Sequence, residues 1–320
     1  VLSEDTVPGS LKEICNSYSK LNTVFKYLFF SFVCLLAISC SNSKENKTDA
    51  QTVYDTVTVL CDPSWENSIR TFIKTYEGLN PTRKVVLIVK PESQCITDLM
   101  NSTFRTVFVS RDLTPKEKDL VINNRWQIES DTLCYDGLAW IGPKSFPKDS
   151  LTVAQIKELF QTGLLDGVSY TIQLNGAGSS VANYLTNYFG VPPSTKHIYT
   201  GGDDVAIIKS VQSRSTALAC ISSSWLVNLE DKQHREYLSS IKIIKISATA
   251  QSQAYSPFQN DLALGTYPFK RVLRVLNRDS STGLGTAFAS FFIHNRGQRL
   301  FLKEGLLPYK IPAREIEFKN

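Results

Sequence analysis

Residues 175 to 180, Asn175-Gly176-Ala177-Gly178-Ser179-Ser180, combine the residue types that a small anion needs. The glycines let the backbone come close to a ligand. The serines offer hydroxyl donors, and the helix expected to follow presents unpaired N–H groups carrying about half a positive charge. The loop lacks the third glycine of GxGxxG and the Gly-Lys-Ser/Thr of a P-loop, so dinucleotide and nucleoside triphosphate cradles are excluded at the motif level. Serines at a helix start are also ordinary N-caps, and the loop by itself leaves both readings open.

Three further strand-to-helix junctions could aim at the same point: Cys61-Asp-Pro-Ser64-Trp65, Pro91-Glu-Ser93-Gln94 and Val107-Phe-Val-Ser110-Arg111. Ligands of open α/β sheets bind at such strand ends. Arg111 is the cation best suited to an oxyanion, because its planar fork matches one; a surface salt bridge to Asp112 or Glu117 is the competing reading. Asp203-Asp204 could resemble a metal pair, but before an amphipathic helix it reads better as a partner of the helix dipole. No GxSxG or HExxH occurs, the three histidines (His197, His234, His294) are far apart, and the seven cysteines form no CxxC. The expectation is therefore no catalytic residue, no metal and no cofactor.

These junctions need an alternating framework, and the sequence supplies one. Short β-branched runs alternate with amphipathic stretches: strand Val53–Leu60, helix Ser64–Tyr76, strand Lys84–Val89, helix Gln94–Asn101, then strand Thr132–Ile141 and helix Thr152–Phe160. A second unit follows, with strand Tyr170–Leu174, helices Val181–Phe189 and Asp203–Gln212, and strands Thr216–Ser222 and Ile241–Ile246. That order predicts an α/β fold with a largely parallel sheet. Asp62-Pro63 reads as an N-cap before proline at the first helical position, and Thr114–Glu117 and Thr152–Gln155 as capping boxes. The tail 286–302 reads as two packed helices broken near Asn295-Arg-Gly297.

At 320 residues and 42% hydrophobic, with 20% charged and 11% aromatic residues, the chain is long enough for two ordinary domains and has the composition of a folded protein rather than a disordered one. Its excess of five positive charges is spread along the length, which argues against a nucleic-acid partner. Near the start, Lys20 and Lys26 precede the apolar run Tyr27–Ile38, which ends at Ser39-Cys40. The run is too short for the ~20 residues of a membrane-spanning helix and fits a signal peptide. Its end is similar to a bacterial lipobox, with Cys40 as the lipidated residue and 41–52 as a polar tether. The four later cysteines (Cys61, Cys95, Cys134, Cys220) read as small buried hydrophobes in preference to disulfide partners.

Several stretches, taken in order, resemble the PstS-type phosphate-binding proteins of ABC transporters. They are Val109-Ser-Arg-Asp-Leu-Thr-Pro-Lys-Glu117, Tyr135-Asp-Gly-Leu-Ala139, Leu151–Phe160 with Thr162-Gly163, Ala217–Ile221, Tyr267-Pro268 with Arg271, Gly297-Gln298, and Gly305-Leu-Leu-Pro308. The resemblance covers residues 53 to 318. It implies a type II periplasmic binding protein fold: lobe 1 from 53–135 plus 246–320, lobe 2 from 136–245, mixed or parallel sheets flanked by helices, and hinge crossovers near Leu133–Ile141 and Ile241–Ser247. It also implies a monomeric, non-enzymatic receptor in the cell envelope, anchored through Cys40. Such a receptor captures a small oxyanion, phosphate above all, and delivers it to an ABC transporter permease. Ser64, Trp65, Ser93, Ser110 and Arg111 from one lobe, with Asn175, Ser179 and Ser180 from the other, are its expected ligand set. Two charged determinants differ from the family pattern: Arg105 stands where an aspartate is expected, and Asn175 where an arginine is. The alternative is an envelope lipoprotein of this fold that recognises a different ligand or a protein partner.

Overall fold

The computed structural model describes residues 55–190, 196–227 and 232–312. The apolar run Tyr27–Ile38, Cys40 and the tether lie outside the described residues. Among the described residues, no helix is long and apolar enough to cross a membrane.

Nine main strands, β1 (Asp55–Cys61), β2 (Arg83–Val89), β3 (Thr106–Val109), β4 (Glu129–Pro143), β5 (Thr171–Leu174), β6 (Ile198–Thr200), β7 (Ala217–Ser222), β8 (Ile241–Ser247) and β9 (Lys270–Asn277), build one mixed sheet. Its path is β2-β1-β3-β9-β4-β7-β5-β6. The first three strands are parallel, and β9 runs antiparallel between β3 and β4. The long strand β4 belongs to both halves: Glu129–Gly137 pairs with β9, whereas Leu138–Pro143 pairs with β7 and β8. Strands β5 and β6 continue the second half in parallel with β7. Ile241–Ser247, expected near a crossover, pairs among the described residues with the end of β4, with Ser150–Thr152 and with Ala254–Tyr255. The chain therefore returns to the first half through residues 248–269.

Alternation along the strands sends neighbouring side chains to opposite faces, so each half of the sheet is covered twice. Val59 and Cys61 join a cluster with Phe72, Phe288, Phe292 and Phe301, while Leu60 packs with Cys95, Leu99 and Val107 on the other side. In the second half Leu138 and Trp140 face one cluster, and Ala139 and Ile141 the other. The four cysteines of this region are buried and unbonded, and burial raises the pKa of each thiol, as expected of small apolar residues.

The main helices are α1 (Glu66–Leu79), α2 (Glu92–Met100), α3 (Pro115–Asn123), α4 (Val153–Thr162), α5 (Ser180–Phe189) and α6 (Asp204–Ser213), with a C-terminal pair Leu284–Ile293 and Asn295–Lys303 broken at His294; further ones include Lys232–Ser240. Helix α1 buries Ile69, Phe72, Ile73 and Tyr76, a single stripe at helical spacing. Both capping boxes form reciprocally, at Thr114 with Glu117 and at Thr152 with Gln155. Asp62 caps a 3-10 turn, Pro63–Trp65, that leads into α1.

Candidate functional site

Strands β1, β2 and β5 each end in a turn that starts a helix, and the three helix starts converge on the carboxylate of Asp62. Its Oδ1 accepts from the backbone N–H of Ser64 at 3.1 Å and from the hydroxyls of Ser64 and Ser180, both at 2.6 Å. Oδ2 accepts from the N–H of Glu92 at 3.1 Å and from the N–H of Ser180 at 2.8 Å. Five donors thus surround one buried carboxylate. Three of them are N–H groups that a helix start leaves unpaired, at the positive end of its dipole.

Arg271 closes the other side. Its Nη1 donates to the hydroxyls of Ser64 (2.8 Å) and Ser180 (2.7 Å), while Nε and Nη2 donate to the two oxygens of Asp136 at 3.1 and 2.7 Å. Each hydroxyl therefore receives from Arg271 and donates to Asp62, so two O–H groups relay between opposite charges. The guanidinium lies 4.6 Å from the centre of the Trp65 ring. Burial alone would pull the Arg271 pKa down, but the charge and hydrogen bonds of Asp136 hold it above its ordinary value. Ser222 adds a hydroxyl donor to Asp136 at 2.7 Å.

The rim is polar and spans the two halves of the sheet. Trp65 donates its indole N–H to Ser110 Oγ at 2.6 Å, and Ser110 N donates to Glu92 Oε1 at 2.6 Å. Glu92 Oε2 accepts from Asn183 at 3.1 Å. Burial, aided by the charge of Asp62, pushes the Glu92 carboxyl up, against the opposing hydrogen bonds from Asn183 and Ser110. Gly178, left-handed at φ 78°, turns its carbonyl toward Ser93 N, which donates to it at 3.2 Å. Beside this cluster lies a cavity of about 320 Å³, bordered by Glu92, Arg111, Asn183, Tyr184 and Tyr188.

Of the residues expected from the sequence, Ser64 and Ser180 meet at the centre, 2.9 Å apart. Trp65 lies against Arg271, Ser110 holds Trp65, and Ser93 sits at the rim. Arg111 borders the cavity, but its fork is held by Glu117 at 2.7 and 2.9 Å. Ser179 is the N-cap of α5, accepting from Ala182 N. Asn175 donates to Asp204 Oδ1 and not to the cradle, and its own Oδ1 is buried without a partner. Asp204 also accepts from Trp225, and burial pushes its pKa up to about 7 against those two hydrogen bonds. Asp203 caps α6. Arg105, which stood for a missing ligand aspartate, is largely exposed beside Asp279. It precedes β3, at the opposite end of that strand from Ser110, and has no part in the cradle.

Sequence reasoning missed three groups here. Asp62 was visible only as a cap, because the second and third helix starts come from distant segments. Arg271 and Asp136 lay within recognised stretches but carried no role. One signal was present: Arg271 is in phase with Leu273 and Val275, which places a guanidinium on a buried face of β9. Such a charge requires a partner. Among the described residues, no cluster of His, Cys, Asp and Glu is arranged to hold a metal ion.

A family model described as a PBP superfamily domain matches residues 46–296. Solved structures with the same fold include a putative phosphate ABC transporter substrate-binding protein from Clostridium perfringens, with bound phosphate (TM-score 0.67, 18% identity, 80% of this chain and 100% of that one). An ABC-type phosphate transport receptor from Vibrio cholerae matches at TM-score 0.59 and 17% identity, over 79% of this chain and 100% of that one. OxyR of Corynebacterium glutamicum also matches, at TM-score 0.52 and 11% identity, over 94% of this chain and 79% of that one. No curated protein matches the sequence at a significant level.

Proposed function

The chain belongs to the PBP superfamily, and on that premise we propose that it is a non-enzymatic, extracytoplasmic solute-binding protein for a small oxyanion, phosphate first. One observation carries the reading: N–H groups from three helix starts and two hydroxyls converge on a single carboxylate, with Arg271 donating to both hydroxyls, and that donor set suits any small tetrahedral oxyanion. Capture would proceed by closure of lobe 1 (53–135 plus 246–320) on lobe 2 (136–245), with Ser64 and Glu92 N–H from one side and Ser180 from the other. The phosphate-transport descriptions of structures with the same fold make phosphate the first ligand to test. The apolar run before Cys40 supports a lipid anchor, and with it an envelope location and an ABC permease as partner for a monomeric receptor.

The test is calorimetric titration of the chain from Cys40 onward, and of its Asp62→Ala form, with phosphate, sulfate and molybdate. Binding of phosphate by either form is expected; silence from both forms with all three anions would overturn the reading. A second reading is favoured by the same carboxylate, since a cradle filled from within keeps the fold without a solute. It is an envelope lipoprotein that recognises a protein partner or another ligand, and a stable complex in pull-downs, unaffected by anions, would support it.

A further inference from the structure

The donors that would receive an oxyanion already receive one, and it belongs to the chain. We propose that Asp62 is a built-in occupant of the cradle: its carboxylate holds the cleft closed in the absence of solute, and an incoming anion must displace it. This inference rests on the oxyanion reading given above. Both oxygens of Asp62 are engaged, by donors from three separate helix starts, and two of those donors, Ser180 N and Ser180 Oγ, lie across the sheet from β1. An N-cap needs only the first of these bonds, the one to Ser64 N. The remaining four exceed what capping requires.

Charge makes occupation exclusive. Asp136 holds Nε and Nη2 of the one guanidinium, Asp62 reaches it through the two hydroxyls, and the charge of Glu92 acts on it as well. An added anion alongside Asp62 would stand beside a like charge in a buried site with no unshared cation. Nor could it share donors, because the two hydroxyls each have one proton, spent on Asp62. Displacement is therefore the route of entry. Asp62 also competes from a fixed tether, two residues from Ser64, so its effective concentration at the cradle far exceeds that of a free anion. The wild-type protein should bind phosphate weakly and change shape little on doing so.

The experiment uses Asp62→Ala, and Asp62→Ser as a form that keeps an oxygen for the Ser64 cap. Calorimetry with inorganic phosphate is combined with small-angle scattering in anion-free buffer. Both variants are expected to bind phosphate at least tenfold more tightly than wild type. Without anion they should be more expanded than wild type, and phosphate should return them to its dimensions and raise their melting temperature. Equal phosphate affinity in wild type and both variants, or equal compactness without anion, would overturn the role of Asp62 and leave the oxyanion reading standing. No anion binding by any form would instead remove that reading, and the displacement idea with it.

Discussion

Arg271 and Asp136 are cross-strand neighbours on β9 and β4, and they close a two-pronged ion pair with neither side chain exposed to solvent. The pair sits where the first half of the sheet meets the second. It fixes the guanidinium so that only Nη1 points into the cradle, toward Ser64 and Ser180. Two carboxylates and two hydroxyls thus share one cation.

Breaking that pair should be costly. Arg271→Met leaves Asp136 buried with only Ser222 as a donor, and a loss of about 3–5 kcal/mol in unfolding free energy is expected. Adding Asp136→Leu removes the stranded charge and should restore much of the loss. Urea denaturation of the two variants checks this; a double variant no more stable than the single one would contradict it.

The adjacent serines of α5 should separate by function. Ser180 supplies a hydroxyl and an N–H to the cradle, whereas Ser179 caps the helix. Ser179→Ala should lower stability by about 1 kcal/mol. Measured in the Asp62→Ala background, Ser180→Ala should weaken phosphate binding roughly tenfold or more, the value of a hydrogen bond to a charged group. Isothermal titration and thermal melts on both would show whether the two effects divide this way.

Asp204 gives a pH dependence with a definite sign. Its carboxyl is held at about 7 against an ordinary value of 3.8, chiefly by burial. The folded state thus binds its proton more tightly than the unfolded state does. Stability from this group is present below about pH 4, declines as pH rises toward about 7 and is constant above. The unfolding free energy of wild type relative to Asp204→Asn should fall across that window, by at most about 1.4 kcal/mol per pH unit. Denaturation series from pH 4.5 to 8 test it, and a difference that rises with pH would show the assignment to be wrong.

Gly178 is held by its conformation and by its neighbour. At φ 78° it favours glycine, and a Cβ there would meet Ser93 Oγ at 2.5 Å. Gly178→Ala should therefore destabilise the protein by more than the ~1 kcal/mol of left-handed backbone strain. Gly178→Ala with Ser93→Ala should recover the steric part. Melting curves of the single and double variants would expose a purely conformational cost as the absence of such recovery.

Local sequence determined a good deal. Apolar alternation set the strands, and the cap residues Asp62, Thr114, Thr152, Ser179 and Asp203 set where helices begin, because capping is satisfied within a few residues of chain. The order of short motifs pointed to the family and so to the fold. The ligand determinants behaved differently. Arg105 and Asn175 drew attention by their position in a pattern, yet one lies at the far end of β3 and the other is committed to Asp204. Ser64 and Ser180 were visible as hydroxyls at helix starts, but not that they share a carboxylate. Asp62, Arg271 and Asp136 are separated by 74 residues or more from one another in the chain. Only the tertiary structure decided that these three would meet. Burial then required each of them to be paired, and the pairing gave the cradle an occupant from the protein itself.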